Sequence, residues 1–313
     1  MTLISSGKTA AGLRRILLSL AAVAAVVSLG AGAAQAQATR TWVSGVGDDA
    51  NPCSRTAPCK TFPGAISKTA AGGEINCLDP GGFGAVTITK AITIACEGVT
   101  AGVLVSGTNA IIVSAGPSDQ VTLRGLDING LGTGINGIRF LAGKALVVDN
   151  CQIYEFTTNG IDVALGATGS SLTVKDTRIN NLGGVGIRVA TTVGGVSASV
   201  DHVNISRVTT GVESAAGGNT SVSNSIMFAG SNGALASANG AVMTVANSVM
   251  SSNNVGANAS VAGATIALTN SDLFANNTAV GAAVGSNFIS GANNKLFGNT
   301  SPGAGVSGTM INE

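Results

Sequence analysis

Aromatic side chains make up only 3% of this 313-residue chain, with a single tryptophan, Trp42, and a single tyrosine, Tyr154. A large irregular enzyme core built on aromatic packing is therefore excluded. Charge is almost as scarce, at 10% Asp, Glu, Lys and Arg, and from residue 214 onward only Asp272, Lys295 and Glu313 carry it. No basic stripe exists, which excludes nucleic acid as a partner. No segment beyond residue 36 is long and apolar enough to span a bilayer. What is abundant is glycine, 45 residues of it, together with Ala, Ser, Thr, Asn and Val. That mixture does not suit a helical bundle. It suits many short strands joined by tight turns around a regular interior of small side chains.

Residues 1–36 read as an export signal. Lys8, Arg14 and Arg15 precede an apolar run from Ile16 to Leu29, and Ala34-Gln35-Ala36 forms an A-x-A cleavage pattern, with Ala38 as a second cleavage position. The Arg14-Arg15 pair suggests twin-arginine export, but its flanks match poorly and the general secretory route is favoured. The apolar run is too short to anchor the chain. Without the signal, 13 basic residues face 15 acidic ones. Export implies a periplasmic, cell-surface or secreted protein, in a compartment where disulfides persist.

An internal repeat organises the rest. Aligned on one apolar strand position, the chain gives Leu123, Val148, Val174, Val200, Val222, Val245 and Leu268, spaced by 22 to 26 residues. Most stretches around these positions alternate apolar and polar, as half-buried strands do. A glycine and an apolar residue follow in the first four repeats: Gly137-Ile138, Gly160-Ile161, Gly186-Ile187 and Gly211-Val212. Such a unit cannot bury its apolar face alone but can do so stacked on copies of itself. The period fits one coil of a parallel β-helix, with coils about 4.8 Å apart. Two positions beyond the alignment residue stand Asn150, Asp176, His202, Asn224, Asn247 and Asn270, with Asn293 assigned to the next coil. Asparagine tolerates a left-handed bend, and stacked amides can hydrogen-bond between coils.

Charge supports the same register. Arg124, Asp149, Lys175 and Asp201 lie one position after the alignment residue; Arg139, Asp162, Arg188 and Glu213 lie two positions after the repeated glycine. Both series alternate in sign over four coils, so each charge is expected to have an opposite neighbour, where like charges would repel. These eight residues are read as surface ion pairs rather than an acid–base site.

The stretch from Thr41 to Gly98 resembles the N-terminal cap and first coils of pectin-lyase-like right-handed β-helix proteins. The matching residues are the Gly-x-Asp turn at Gly47 to Asp49, Asn51-Pro52, Pro58 to Thr61, the helix-like stretch to Lys68, and the coil "VTITKAITI". The resemblance implies an all-β, single-stranded right-handed parallel β-helix with a short N-terminal helical cap. The expected organisation is a signal peptide at 1–36, a cap at 37–72 and the β-helix at 73–313. Phe62, Ala65 and Ile66 would form the apolar side of a helix covering the end coil, whose strand edge is otherwise bare. Cys53 and Cys59 would staple the preceding loop. Cys77 and Cys96 would fall on neighbouring coils within disulfide range if their side chains face one another rather than run parallel. Cys151 is left over; its coil equivalents Leu126, Val203, Ser248 and Ser271 mark it as a small inward-facing residue, a buried thiol rather than a nucleophile. Two readings stand for Asp48, Asp49 and Asn51: an Asx-turn, or a calcium ion held by oxygen ligands. No other cofactor is expected.

The resemblance supports fold and leaves activity open. The Asp-His and Arg-x-Pro-x-x-Arg signatures of pectate lyases are not recognisable. Of the polygalacturonase motifs, the only Asp-Asp pair is Asp48-Asp49, in the cap. His202 follows Asp201 but sits in the asparagine column, as a substitute there rather than a general base, and no nucleophile elbow is present. The residual polar candidates for a carbohydrate groove are Asp127 and Arg178, two coils apart in one column, Glu155 and Arg207 in another, and Tyr154. Three functions follow: a non-catalytic exported scaffold binding polysaccharide or another cell-surface component; a polysaccharide lyase or glycoside hydrolase with a non-standard or degenerate site; and a structural or assembly protein whose uncharged C-terminal coils pack on a partner.

Overall fold

The computed structural model describes residues 37–166 and 169–310; the expected export signal and Glu313 lie outside the described residues. The alignment positions are true register partners. Leu123, Val148, Val174, Val200, Val222, Val245 and Leu268 pair in sequence along one sheet of twelve parallel strands. Every one of them is buried, at 0–1% exposure. Each coil thus places a branched aliphatic side chain over the one below, and burying one such side chain stabilises the stack by about 1.5–3 kcal/mol.

Each coil turns out of this first sheet through one left-handed residue. Asn150, Asp176, His202, Asn224, Asn247 and Asn270 have φ between 42° and 51°. This column is therefore set by backbone conformation, which costs most residues about 1–2 kcal/mol and Asn or Asp less. Asn293 is not in it. The residue two positions after Ser290 is Ala292, with φ 58°, and Asn293 lies one residue on, where its Oδ1 accepts the Asn270 amide at 2.9 Å. Amide stacking is also incomplete: Asn270 Nδ2 donates to Asn247 Oδ1 at 2.7 Å, whereas Asn224 Nδ2 donates to Asp201 Oδ1 at 2.7 Å.

A second face of mostly three-residue strands follows, for example Arg178–Asn180, Asn204–Ser206, Ile226–Phe228 and Asp272–Phe274. It ends at a second left-handed column: Glu155, Asn181, Arg207, Ala229, Ser252, Ala275 and Gly298. The residues immediately after these point inward. They change along the solenoid from Phe156, Leu182 and Val208 to Asn253 and Asn276, all buried. The hydrogen-bonded asparagine ladder is here. Asn276 Oδ1 accepts the Asn253 amide and side chain at 3.0 and 3.2 Å; Asn299 Oδ1 does the same for Asn276 at 2.9 and 3.0 Å. The buried amides also donate to the carbonyls of Met227 and Met250. Full pairing is what permits polar groups inside the core.

The third face begins at the repeated glycines. A Cβ on Gly160, Gly186 or Gly211 would lie 2.7, 2.6 or 2.5 Å from the next coil's glycine carbonyl, so no side chain fits. Ile138, Ile161, Ile187 and Val212 follow in register. Farther along, the same inner positions are Ala234, Ala257 and Val280.

At the N-terminal end, Ala38–Val43 adds the edge strand of the first sheet by pairing with Thr69–Cys77. The helix Phe62–Lys68 lies beside these two strands, capped by Thr61, whose hydroxyl accepts the Gly64 amide at 3.0 Å. Phe62 and Ala65 are fully buried, Ile66 packs against the core, and the Phe62 and Phe83 rings lie 5.2 Å apart. Both expected disulfides form: Cys53–Cys59 within the cap loop, and Cys77–Cys96 across neighbouring coils with Cα atoms 4.9 Å apart.

Candidate functional site

Both charge rows sit in the expected register, but they differ in use. On the third face, Asp162 meets Arg139 at 3.5 Å and Arg188 at 3.4 Å, and Arg188 reaches Glu213 at 3.4 Å. On the first sheet, Asp149 meets Arg124 at 3.0 Å and Lys175 at 3.2 Å, and Arg124 also reaches Glu97 at 3.6 Å. The last step of that row does not close. Asp201 instead accepts hydrogen bonds from Ser223 and Asn224, both at 2.7 Å, and contacts His202 Nδ1 at 2.8 Å. The Ser223 hydroxyl foremost, then His202 and Asn224, hold its carboxyl down at about 2. Asp201 in turn raises the pKa of the His202 imidazole.

The cap loop is closed on itself. Asp49 accepts from the amides of Lys60 and Thr61 at 2.8 and 2.9 Å and from the Thr61 hydroxyl at 2.7 Å. Burial pushes against ionisation there, but the Thr61 and Lys60 bonds and the nearby Lys68 ammonium prevail and lower its pKa. Asp48 Oδ1 caps the Ala50 amide at 2.9 Å, an Asx-turn, and Asn51 Nδ2 donates to the Pro58 carbonyl at 2.9 Å. Both Asp49 oxygens and Asp48 Oδ1 are thus committed to protein donors. Among the described residues, no three His, Cys, Asp or Glu side chains group as metal ligands.

Cys151 is 1% exposed, and burial pushes its thiol up to about 11. Its column is a hydroxyl ladder in later coils: the Val203 amide donates to Ser225 Oγ at 3.1 Å, Ser225 to Ser248 at 3.2 Å and Ser248 to Ser271 at 3.2 Å. This is a structural column with no reacting group.

A concave feature of the surface lies along the bend between the first and second faces. It is a groove of about 380 Å³, lined by Asp127, Asn150, Gln152, Asp176 and Arg178 and walled by the loop from Cys96 to Ala101. Asp127, Gln152 and Arg178 are consecutive members of one outward column. Asn150 and Asp176 are bend residues, so their side chains project at its margin. None of the side chains of Asn150, Gln152, Asp176 and Arg178 makes a hydrogen bond within the protein. The groove therefore offers two amides, a guanidinium and three carboxylates, Asp127, Asp176 and Glu97, the last of which also reaches Arg124. Tyr154 stands in the adjacent outward column, between Asn129 and Asn180. Tyr154 is half-buried; burial, and then its hydrogen bond to the neighbouring Asp127 carboxylate, raise its pKa.

Of the five candidate residues read from the sequence, Asp127 and Arg178 line the groove and Tyr154 borders it. Glu155 and Arg207 share a column, as expected, but at the second bend. There Arg207 Nη2 donates to Asn180 Oδ1 at 3.4 Å. Sequence reasoning missed Glu97, Asn150, Gln152 and Asp176. The bend residues carried a signal, since their column was visible, but it was read as purely structural.

No protein-family model matches the chain, and no curated protein matches it. A solved structure, the crystal structure of pectate lyase Pel9A, is similar with a TM-score of 0.56 at 15% identity, over 87% of this chain and 78% of that one. The likeness is one of fold: both are parallel β-helices.

Proposed function

We propose that this protein is an exported, non-catalytic β-helix scaffold that binds polysaccharide through the groove between its first and second faces. The observation that carries this reading is the set of four groove side chains, Asn150, Gln152, Asp176 and Arg178, that have no hydrogen-bond partner in the protein. Saccharide hydroxyls both donate and accept, and amides, carboxylates and a guanidinium complement them. Tyr154 adds an aromatic side at the margin. Two disulfides support an oxidising compartment, and among the described residues no helix is long and apolar enough to cross a membrane.

A second reading, a polysaccharide lyase or glycoside hydrolase, is favoured by the fold likeness to a pectate lyase. Against it, Arg124, Asp149 and Lys175 in one charge row and Arg139, Asp162, Arg188 and Glu213 in the other are paired with one another. Affinity electrophoresis against a polysaccharide panel, with reducing-end and unsaturated-uronate assays on the same samples, separates the two. The proposed function gives retardation without product, and Arg178→Ala abolishes the retardation. Product release overturns the non-catalytic reading; retardation of no polysaccharide overturns the binding function.

A further inference from the structure

The outward columns of the second face change character along the solenoid. The column that begins at Leu104 and Asn129 runs through Tyr154, Asn180, Ser206, Phe228, Ser251, Phe274 and Phe297, each in register with the next. After the exposed Leu104 its first half is Asn129, Tyr154, Asn180 and Ser206. Its second half carries phenylalanines, exposed by 40% at Phe228, 41% at Phe274 and 80% at Phe297. Beside them, the column of the groove residue Arg178 continues as Asn204, Ile226 and Val249, with Ile226 exposed. The charged residues there, Asp272 and Lys295, neutralise one another at 3.8 Å.

Phe228, Phe274 and Phe297, with the buried Ser251 between the first two, form a narrow apolar strip that a ligand can cover. Their geometry limits what that is. Three-residue strands give a strip about 10 Å wide, and four coils make it about 19 Å long. The resulting area, about 190 Å², is far below the roughly 800 Å² per partner of a stable protein interface. A strip one ring wide and several coils long, continuous with the polar groove, matches a single polymer chain lying along the solenoid axis. Its charge neutrality selects an uncharged polymer. The apolar C–H faces of pyranose rings with equatorial hydroxyls present partial positive charge to the negative face of an aromatic ring.

From these observations we infer that the second face is one continuous binding track for a linear, neutral polysaccharide. The groove engages its hydroxyls at one end, and Phe228, Phe274 and Phe297 stack its sugar rings at the other. This rests on the glycan-binding function proposed above and adds the ligand's length, charge and orientation. The distance from Tyr154 to Phe297 is six coil spacings, about 29 Å, so short oligosaccharides reach only part of the track.

Calorimetric titration with short and long cello-, xylo- and manno-oligosaccharides tests it. At least one long series member is expected to bind about tenfold tighter than its short counterpart. A Phe228→Ala/Phe274→Ala/Phe297→Ala variant should lose that gain and keep the short-chain affinity. Phe274→Ser, which copies Ser251 of the same column, is a conservative companion and should lose part of the gain. Equal binding of long chains by the wild type and either variant overturns the track while leaving groove binding intact. So does a wild-type dimer, seen by sedimentation, that the triple variant abolishes; the strip would then be a self-contact. Binding of acidic polysaccharides alone overturns the neutral specificity, and binding of no saccharide removes the underlying function as well.

Discussion

Reversing Asp162 to lysine attacks the third-face charge row at its centre. The Asp162 side chain is 9% exposed and meets two guanidinium groups at 3.4–3.5 Å, whose side chains are 37–41% exposed. At an effective dielectric of about 20, each contact is worth about 5 kcal/mol in bare Coulomb energy. Water around the half-exposed arginines and the cost of desolvating the carboxylate remove most of that. Fully exposed pairs retain about 0.2–1 kcal/mol, and breaking a fully buried pair costs about 3–5 kcal/mol. The row lies between these limits, so losing the carboxylate should cost about 2 kcal/mol. The lysine then places three cations in line at about 4.8 Å, adding about 1 kcal/mol per contact at the dielectric of water. Asp162→Lys should therefore lower the melting temperature by about 5–10 °C, and less in high salt, because the Debye length falls from about 10 Å at 0.1 M to about 3 Å at 1 M. Adding Arg139→Glu and Arg188→Glu restores alternation over three coils. The new carboxylate at 188 then faces Glu213, which also accepts the Ser237 hydroxyl at 2.6 Å, so recovery should be partial. Thermal melts of both variants at low and high salt decide it. No salt-dependent loss in Asp162→Lys, or a triple variant less stable than the single one, refutes the ion-pair row.

The interior asparagine ladder should be as sensitive: Asn276→Ala orphans the Asn253 amide and the Met250 carbonyl and should cost about 2–4 kcal/mol, with hydrogen exchange accelerating first in the C-terminal coils. Peptide mapping without reduction should find Cys53–Cys59 and Cys77–Cys96 bonded, with Cys151 alkylated only after denaturation; a thiol at about 11 that is also buried has no thiolate to offer. His202, the single histidine of the chain, should titrate by NMR above its ordinary 6.5 because of Asp201. Being raised on folding, it contributes stability that is complete below 6.5 and is lost as pH rises through its folded value. Asp201 runs the other way: held down to about 2, it contributes above 3.8 and loses that contribution as pH falls toward 2. His202→Asn should flatten the upper limb of the stability–pH curve and, because His202 also helps hold Asp201 down, shrink the acid limb.

The register was legible because stacking imposes the coil period on every column. Each alignment residue, from Leu123 to Leu268, stands on its predicted partner, and the charges one place after it and two places after the repeated glycine follow. Where a side chain alone decides the column, as with the sign of a charge, the pattern survives in the sequence. Where backbone conformation decides, several residue types are tolerated and the pattern blurs. Asn293 was misassigned because Ala292 takes the left-handed bend. The buried ladder of Asn253, Asn276 and Asn299 escaped because its bend residues, Ser252, Ala275 and Gly298, share no type. The groove was half legible. Asp127 and Arg178 belong to a strand column and could be placed by counting. Its far wall, from Cys96 to Ala101, is a connection that departs from the repeat, and no period points to it.

The central claim is that a glycan occupies the outward side of the second face. A crystal structure of the protein soaked with the longest oligosaccharide that binds it tests this directly. The account predicts sugar density beginning between the 96–101 loop and Arg178 and running along the column from Tyr154 toward Phe297. Density on the third face over Arg139, Asp162 and Arg188, with the second face empty, would contradict it.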